Sequence, residues 1–152
     1  MESQSYLYGN NLIEIRGQDC WGCGYYQAPR GDRVHNGIDI LSHANEVVIA
    51  YEGGTVTKIG YPYNPSDKKK GHFRYVQVTT GNGYCHRYFY CAPLVDVDDV
   101  VERGQTIGSN QTLDLVYPGI SQHTHFEVKN DQHKFIDPVE VLEELGYVFD
   151  DS

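Results

Sequence analysis

His123 and His125 lie one residue apart in the run Gln122-His-Thr-His-Phe-Glu127, and far upstream stands a second cluster, His35-Asn-Gly-Ile-Asp39. Imidazole nitrogen and carboxylate oxygen are zinc donors, so His-x-x-x-Asp and His-x-His together read as one three-ligand zinc site. Two nitrogens and one oxygen leave a fourth tetrahedral position open for water, the pattern of catalytic rather than structural zinc. The two clusters are distant in the chain, so the ligands meet only in the folded domain, where the ion would close a long loop. The chemistry this arrangement implies is hydrolysis, since bound zinc makes water a nucleophile near neutral pH.

The spacing constrains the backbone. In a straight strand His35 and Asp39 would lie roughly 13 Å apart, too far to share an ion with bonds of about 2 Å. The chain must bend between them, and Asn36-Gly37 is the expected place, because glycine and asparagine accept backbone angles that other residues avoid. His123 and His125 share one face of a strand, about 6 to 7 Å apart, so one can bind the ion while the other faces bound water or substrate. His43, His72 and His133 stand in polar, loop-like contexts and are read as ordinary surface histidines.

The elements that must position these residues are mostly strands. The 152 residues include 16 glycines and 13 tyrosines among short alternating apolar runs, a composition that favours strands and tight turns. The length suits one domain. Strands are expected at 37–41, 47–51, 54–59, 73–80, 83–91 and 123–129, and 101–108 reads as a tight turn into a short strand. One helix is signalled: Asp137 as N-cap, Pro138 at the first position, Val139, Leu142 and Leu145 as an apolar stripe, and Gly146 as the stop. The organisation expected is an N-terminal extension over 1–19, a zinc-binding β domain over 20–146 and an acidic tail over 147–152.

A net charge of −9 and no basic stripe argue against nucleic acid, and Lys68-Lys69-Lys70 reads as a solvated loop. No apolar run reaches the 18 or more residues of a membrane span, and residues 1–11 lack the charged and apolar parts of a secretion signal. Asn110-Gln-Thr112 matches a glycosylation acceptor. Cys20-Trp-Gly-Cys23 admits a redox pair, half of a zinc knuckle or a short disulfide. A thioredoxin-like βαβ context is missing, so the disulfide between Cys20 and Cys23 is the expected state. Cys85 and Cys91 would be about 20 Å apart on one extended strand, beyond disulfide reach, and are expected as free thiols.

His35-Asn-Gly-Ile-Asp-Ile40, Val47-Val-Ile-Ala50 followed by Gly54-Thr-Val56, Val101-Glu-Arg-Gly-Gln-Thr-Ile-Gly108 and His123-Thr-His-Phe-Glu-Val128 occur in this order. They resemble the lysostaphin and LytM-type zinc endopeptidases of family M23. Glu14-Ile-Arg16, Gly83-Tyr-Cys85, Phe89-Tyr-Cys-Ala-Pro93 and Val116-Tyr-Pro-Gly-Ile120 resemble more closely the secreted, chemotaxin-2-like branch of that fold. The resemblance implies a single antiparallel β domain, barrel-sandwich-like, with one zinc ion on His35, Asp39 and His125 and with His123 as the nearby non-ligand histidine.

The peptidases carry a second non-ligand histidine in a Tyr-x-His-Leu motif, and Tyr88-Phe-Tyr-Cys91 puts Tyr90 in its place. A phenol near pKa 10 stays protonated where an imidazole near 6.5 exchanges protons, so Tyr90 can donate to an oxyanion but is a poor general base. His86, about 13 Å along the expected strand, does not replace it. The resemblance therefore implies a secreted pseudo-peptidase that recognises an extracellular receptor, peptide or glycan. The alternative is an active endopeptidase that cuts glycine-rich peptides or peptidoglycan cross-bridges.

Overall fold

Alternation along His123–Lys129 sets the frame on which the site is built. Thr124, Phe126 and Val128 are buried on the core side, while His123, His125 and Glu127 project from the opposite face, as a period of two requires. The computed structural model describes residues 12–17, 22–30 and 33–149. Its first strands are β1 (Leu12–Ile13), β2 (Pro29–Arg30), β3 (Arg33–Val34), β4 (Ile38–Leu41), β5 (Val47–Ile49), β6 (Gly54–Gly60) and β7 (Tyr75–Thr80). There follow β8 (Cys85–Phe89), β9 (Cys91–Pro93), β10 (Val100–Val101), β11 (Thr106–Asn110), β12 (His123–Lys129), β13 (Phe135–Ile136), helix α1 (Pro138–Glu144) and β14 (Val148–Phe149).

The principal sheet runs β10-β6-β7-β8-β12-β13, and β4 also pairs with β12. Every pairing in it is antiparallel. One edge of β12 is thus shared, by β4 along His123–Phe126 and by β13 along Val128–Lys129. A second sheet, β5-β11-β9, is also antiparallel. Ile38, Ile40, Val76, Val78, Tyr88 and Phe126 from the first sheet and Val48, Ile49 and Ile107 from the second form one core. The expected fold, mainly β and antiparallel with a short C-terminal helix, is the fold observed. Asp137 caps α1, its carboxylate accepting from Val139 N at 2.9 Å, Pro138 opens it, and Gly146 follows at φ +95°.

The strand expected over 83–91 is two strands. β8 stops at Phe89, Tyr90 adopts φ +64°, and β9 begins at Cys91 in the other sheet. A left-handed backbone at a bulky residue is unfavourable, by about 1–3 kcal/mol. Hydrogen bonds over-determine it here: Tyr90 N donates to the Arg74 carbonyl at 2.9 Å, and the Tyr90 carbonyl accepts from Gln111 N at 2.7 Å. Tyr90 is the corner at which the chain changes sheets.

The segments flanking residues 20–146 pack with that domain. β1 pairs with β14 in parallel, Ile13 is wholly buried, and residues 14–16 run along β4, with Arg16 N donating to the Asp39 carbonyl at 2.7 Å. Cys23, Cys85 and Cys91 are free thiols, so no disulfide forms among the described residues. Cys20, the other half of the expected bond, lies outside them. Asn110 is not available for glycosylation: it is buried, and its amide donates to the Thr124 hydroxyl at 2.9 Å. His43, His72 and His133 are exposed, as expected.

Candidate metal centre

The register of β12 on β4 places His125 directly opposite Asp39. Directly opposed residues share a face with Cβ atoms about 4.5–5.5 Å apart, so strand pairing alone delivers two of the three donors. His35 arrives by the expected bend at residues 36–37, but for a different reason. Neither Asn36 nor Gly37 has a positive φ. Gly37 is needed because a Cβ there would collide with the Phe126 carbonyl oxygen, so only a residue without a side chain lets the bend press onto β12.

His35 Nε2, His125 Nδ1 and Asp39 Oδ1 form a nearly equilateral triangle, each pair 3.0 Å apart. Tetrahedral donors at zinc bond lengths of about 2.05 Å are separated by about 3.3 Å, so the triangle fits such an ion closely. The outward nitrogens fix the tautomers. His35 Nδ1–H donates to the Tyr25 carbonyl at 3.0 Å, and His125 Nε2–H donates to Glu127 Oε1 at 2.9 Å. With both imidazoles neutral this leaves two lone pairs and a carboxylate oxygen facing one another, a donor set that calls for a cation, whether a metal ion or a proton on His125 Nδ1. Burial lowers the affinity of His125 for a proton, but its hydrogen bonds to Asp39 and Glu127, with their charges, prevail and raise its pKa to about 9. The same preference for positive charge at the triangle is visible at Asp39. Burial would raise its carboxyl, yet the charge that His123 takes on at acid pH and the hydrogen bonds from His125 and His35 hold it well below the usual range.

A shell of charges supports the donors. Arg16 Nε and Nη2 both donate to Asp39 Oδ2, at 3.0 and 2.9 Å, with both side chains almost wholly buried. The fork leaves Oδ1 turned towards His35 and His125. Glu127, which holds His125, is itself reached by Arg87 Nη1 at 3.5 Å. Phe89 packs its ring edge-on to His125, with centroids 5.0 Å apart.

His123 lies beside the triangle, its Nε2 3.6 Å from Asp39 Oδ2. Nδ1–H donates to the Ser121 carbonyl at 2.8 Å, which leaves Nε2 unprotonated, and burial pushes the imidazole down to about 4 despite the charge of Asp39. Tyr90 packs edge-on against His123 with centroids 5.6 Å apart. Its hydroxyl is 3.2 Å from that of Tyr63, which accepts from Tyr117 at 3.1 Å. Burial, and then the charge and hydrogen bond of Tyr63, raise the Tyr90 phenol well above 10. His86 points the other way, into the core: wholly buried, edge-on to Phe126 at 5.5 Å, with no hydrogen bond at either ring nitrogen.

His35, Asp39, His123, His125 and Tyr90 thus all line one groove of about 550 Å³. Arg16, Glu127, Tyr63, Tyr117 and Lys70 line it too, and none of them was legible as a site residue from sequence. Glu127 was the most accessible, since it stands two residues beyond His125 and must share its face.

Comparison with known proteins agrees with this geometry. The family model described as "Peptidase family M23" matches residues 33–138. The chain is 33% identical over 114 residues to leukocyte cell-derived chemotaxin-2 of Mus musculus, covering 75% of this chain and 72% of that protein. Among solved structures it is similar to the catalytic domain of the antimicrobial peptidase lysostaphin from Staphylococcus simulans, with TM-score 0.63 and 23% identity, covering 80% of this chain and 90% of that one. Against the complete lysostaphin the TM-score is 0.65, and the chain spans 55% of its length. The match of the family model over most of the chain, on a fold that brings His35, Asp39 and His125 together, shows that this chain belongs to peptidase family M23.

Proposed function

We propose that this chain is a zinc-binding M23 domain that recognises an extracellular peptide or glycan without cleaving it. The observation that carries the reading is Tyr90. Peptide hydrolysis at a metal centre needs groups that take a proton from water and return one to the leaving amine. Beyond the three donors, the groove offers His123, held neutral by burial, and a phenol kept protonated and tied into a ladder of three hydroxyls. The triangle His35, Asp39 and His125 would hold one zinc ion, which supplies Lewis acidity when bound. Arg16 and Glu127 orient the donors, and His123 and Tyr90 present an acceptor and a hydroxyl beside them. The likeness to chemotaxin-2 supports a secreted recognition role, and likeness to lysostaphin supports a substrate-like groove.

The test is Tyr90→His beside the native protein, both zinc-loaded, on pentaglycine and on peptidoglycan. General acid–base groups contribute about 100- to 10,000-fold, so the variant is expected to gain measurable hydrolysis over an inactive native chain. Rapid cleavage by the native chain would refute the reading and favour an active endopeptidase.

A further inference from the structure

Lys70 lines the groove and makes no direct ion pair among the described residues. The segment carrying it, between β6 and β7, folds back over the site, and its ammonium lies 5.2 Å from the ring centroid of Tyr63 and 5.7 Å from that of Tyr117. The Asp67 carboxylate, three residues earlier and exposed, feels the Lys70 charge only at a distance and accepts instead from the backbone N–H groups of Lys69 and Lys70 at 2.8 and 2.9 Å. The ammonium itself makes no ion pair among the described residues. The groove's other lysine or arginine, Arg16, is committed to Asp39. Two aromatic faces hold a cation in place without neutralising it or consuming its N–H donors. A half-buried ammonium so placed is pre-organised for an oxyanion, and a single charge suits a carboxylate. The setting makes such a point matter, because the chain as a whole carries −9 and on balance repels an acidic ligand.

We propose that Lys70 is the specificity-determining residue of the groove and that it selects peptides bearing a carboxylate. Tyr63 and Tyr117 position it by their faces, while their hydroxyls continue the ladder to Tyr90. One end of the groove then meets the peptide backbone at the His35, Asp39 and His125 triangle, and the other reads its negative charge. This rests on the reading of the groove as a peptide-recognition site.

The experiment uses the full chain, zinc-loaded, with three fluorescent peptides of equal length: pentaglycine with a free C-terminal carboxylate, the same peptide as its amide, and an amide with one internal glutamate. The two carboxylate peptides distinguish a C-terminal from a side-chain source. Charge-assisted hydrogen bonds favour at least one of them over the neutral amide by about 10-fold. Lys70→Gln is expected to abolish that preference, and Lys70→Arg, which keeps the charge, to retain it. Raising salt from 0.05 to 0.5 M should shrink the preference, by screening. Equal binding of charged and neutral peptides, binding of none of the three, or a preference that survives in Lys70→Gln would overturn the proposal. Mass spectrometry of the same mixtures separates the two readings: cleaved peptide refutes non-hydrolytic recognition and leaves the carboxylate preference standing.

Discussion

Replacing Arg16 by methionine should be among the most damaging single changes in this domain, although Arg16 is not itself one of the three donors. The guanidinium and the Asp39 carboxylate are 2% and 3% exposed, and two hydrogen bonds of 2.9 and 3.0 Å join them. So little exposure leaves solvent screening almost no role. Removing one member of a buried pair strands the other charge, at about 3–5 kcal/mol, a large share of the 5–15 kcal/mol typical of a domain. Arg16 Nη1 also donates to the Gly22 carbonyl at 3.0 Å, which places the variant towards the upper part of that range. Urea denaturation of metal-free protein measures the loss. The double variant Arg16→Met with Asp39→Asn should recover part of it, because neither charge remains. With zinc in place of the proton on His125, Asp39 has a doubly charged cation beside it, so the cost of losing Arg16 should be smaller than in the metal-free protein. A loss under about 1 kcal/mol without metal, or no recovery in the double variant, would show that the pair is not the anchor described here.

Zinc content should fall from about one equivalent to near zero in His125→Ala and Asp39→Ala, measured by elemental analysis, and full retention would misplace the site. A chelator should lower the melting temperature of the native chain by several degrees, since an ion at about 100 times its Kd stabilises the folded state by about 2.7 kcal/mol. His86 gives a pH dependence: burial pushes it down to about 4 from about 6.5 unfolded, so above pH 6.5 it adds no protonation-linked cost. Stability then falls as pH drops towards 4, because the unfolded chain binds the proton first, by about 3 kcal/mol in all. His86→Phe should make the stability curve less steep between pH 6.5 and 4, with the contribution of His123 remaining, and an unchanged curve would refute the assignment. Cys91, wholly buried with its thiol pushed up to about 12, should resist alkylation until the protein unfolds. Mapping the alkylated peptides also checks the free thiol at Cys23.

The donors were legible in the sequence because side-chain type and period are local properties. A histidine pair at i and i+2 in a β-forming run must share a face, and His35 could reach Asp39 only if residues 36–37 bent. The helix was equally local, since Asp137, Pro138 and Gly146 each act within one turn. The switch at Tyr90 was not legible. Residues 83–91 alternate like one strand, and only the Arg74 carbonyl and the loop at Gln111 force the left-handed backbone that turns Tyr90 into the groove. Arg16 was hidden for a related reason: its role exists only once the segment after β1 lies along β4, a contact spanning 23 residues. Lys68-Lys69-Lys70 looked like a solvated loop because charge alone does not say which lysine folds back over two tyrosine rings. The sequence by itself determined which atoms can bind an ion, through donor type and spacing. Only the tertiary structure decided what stands around them, because desolvation, charge pairing and backbone strain depend on neighbours that the order of residues does not name.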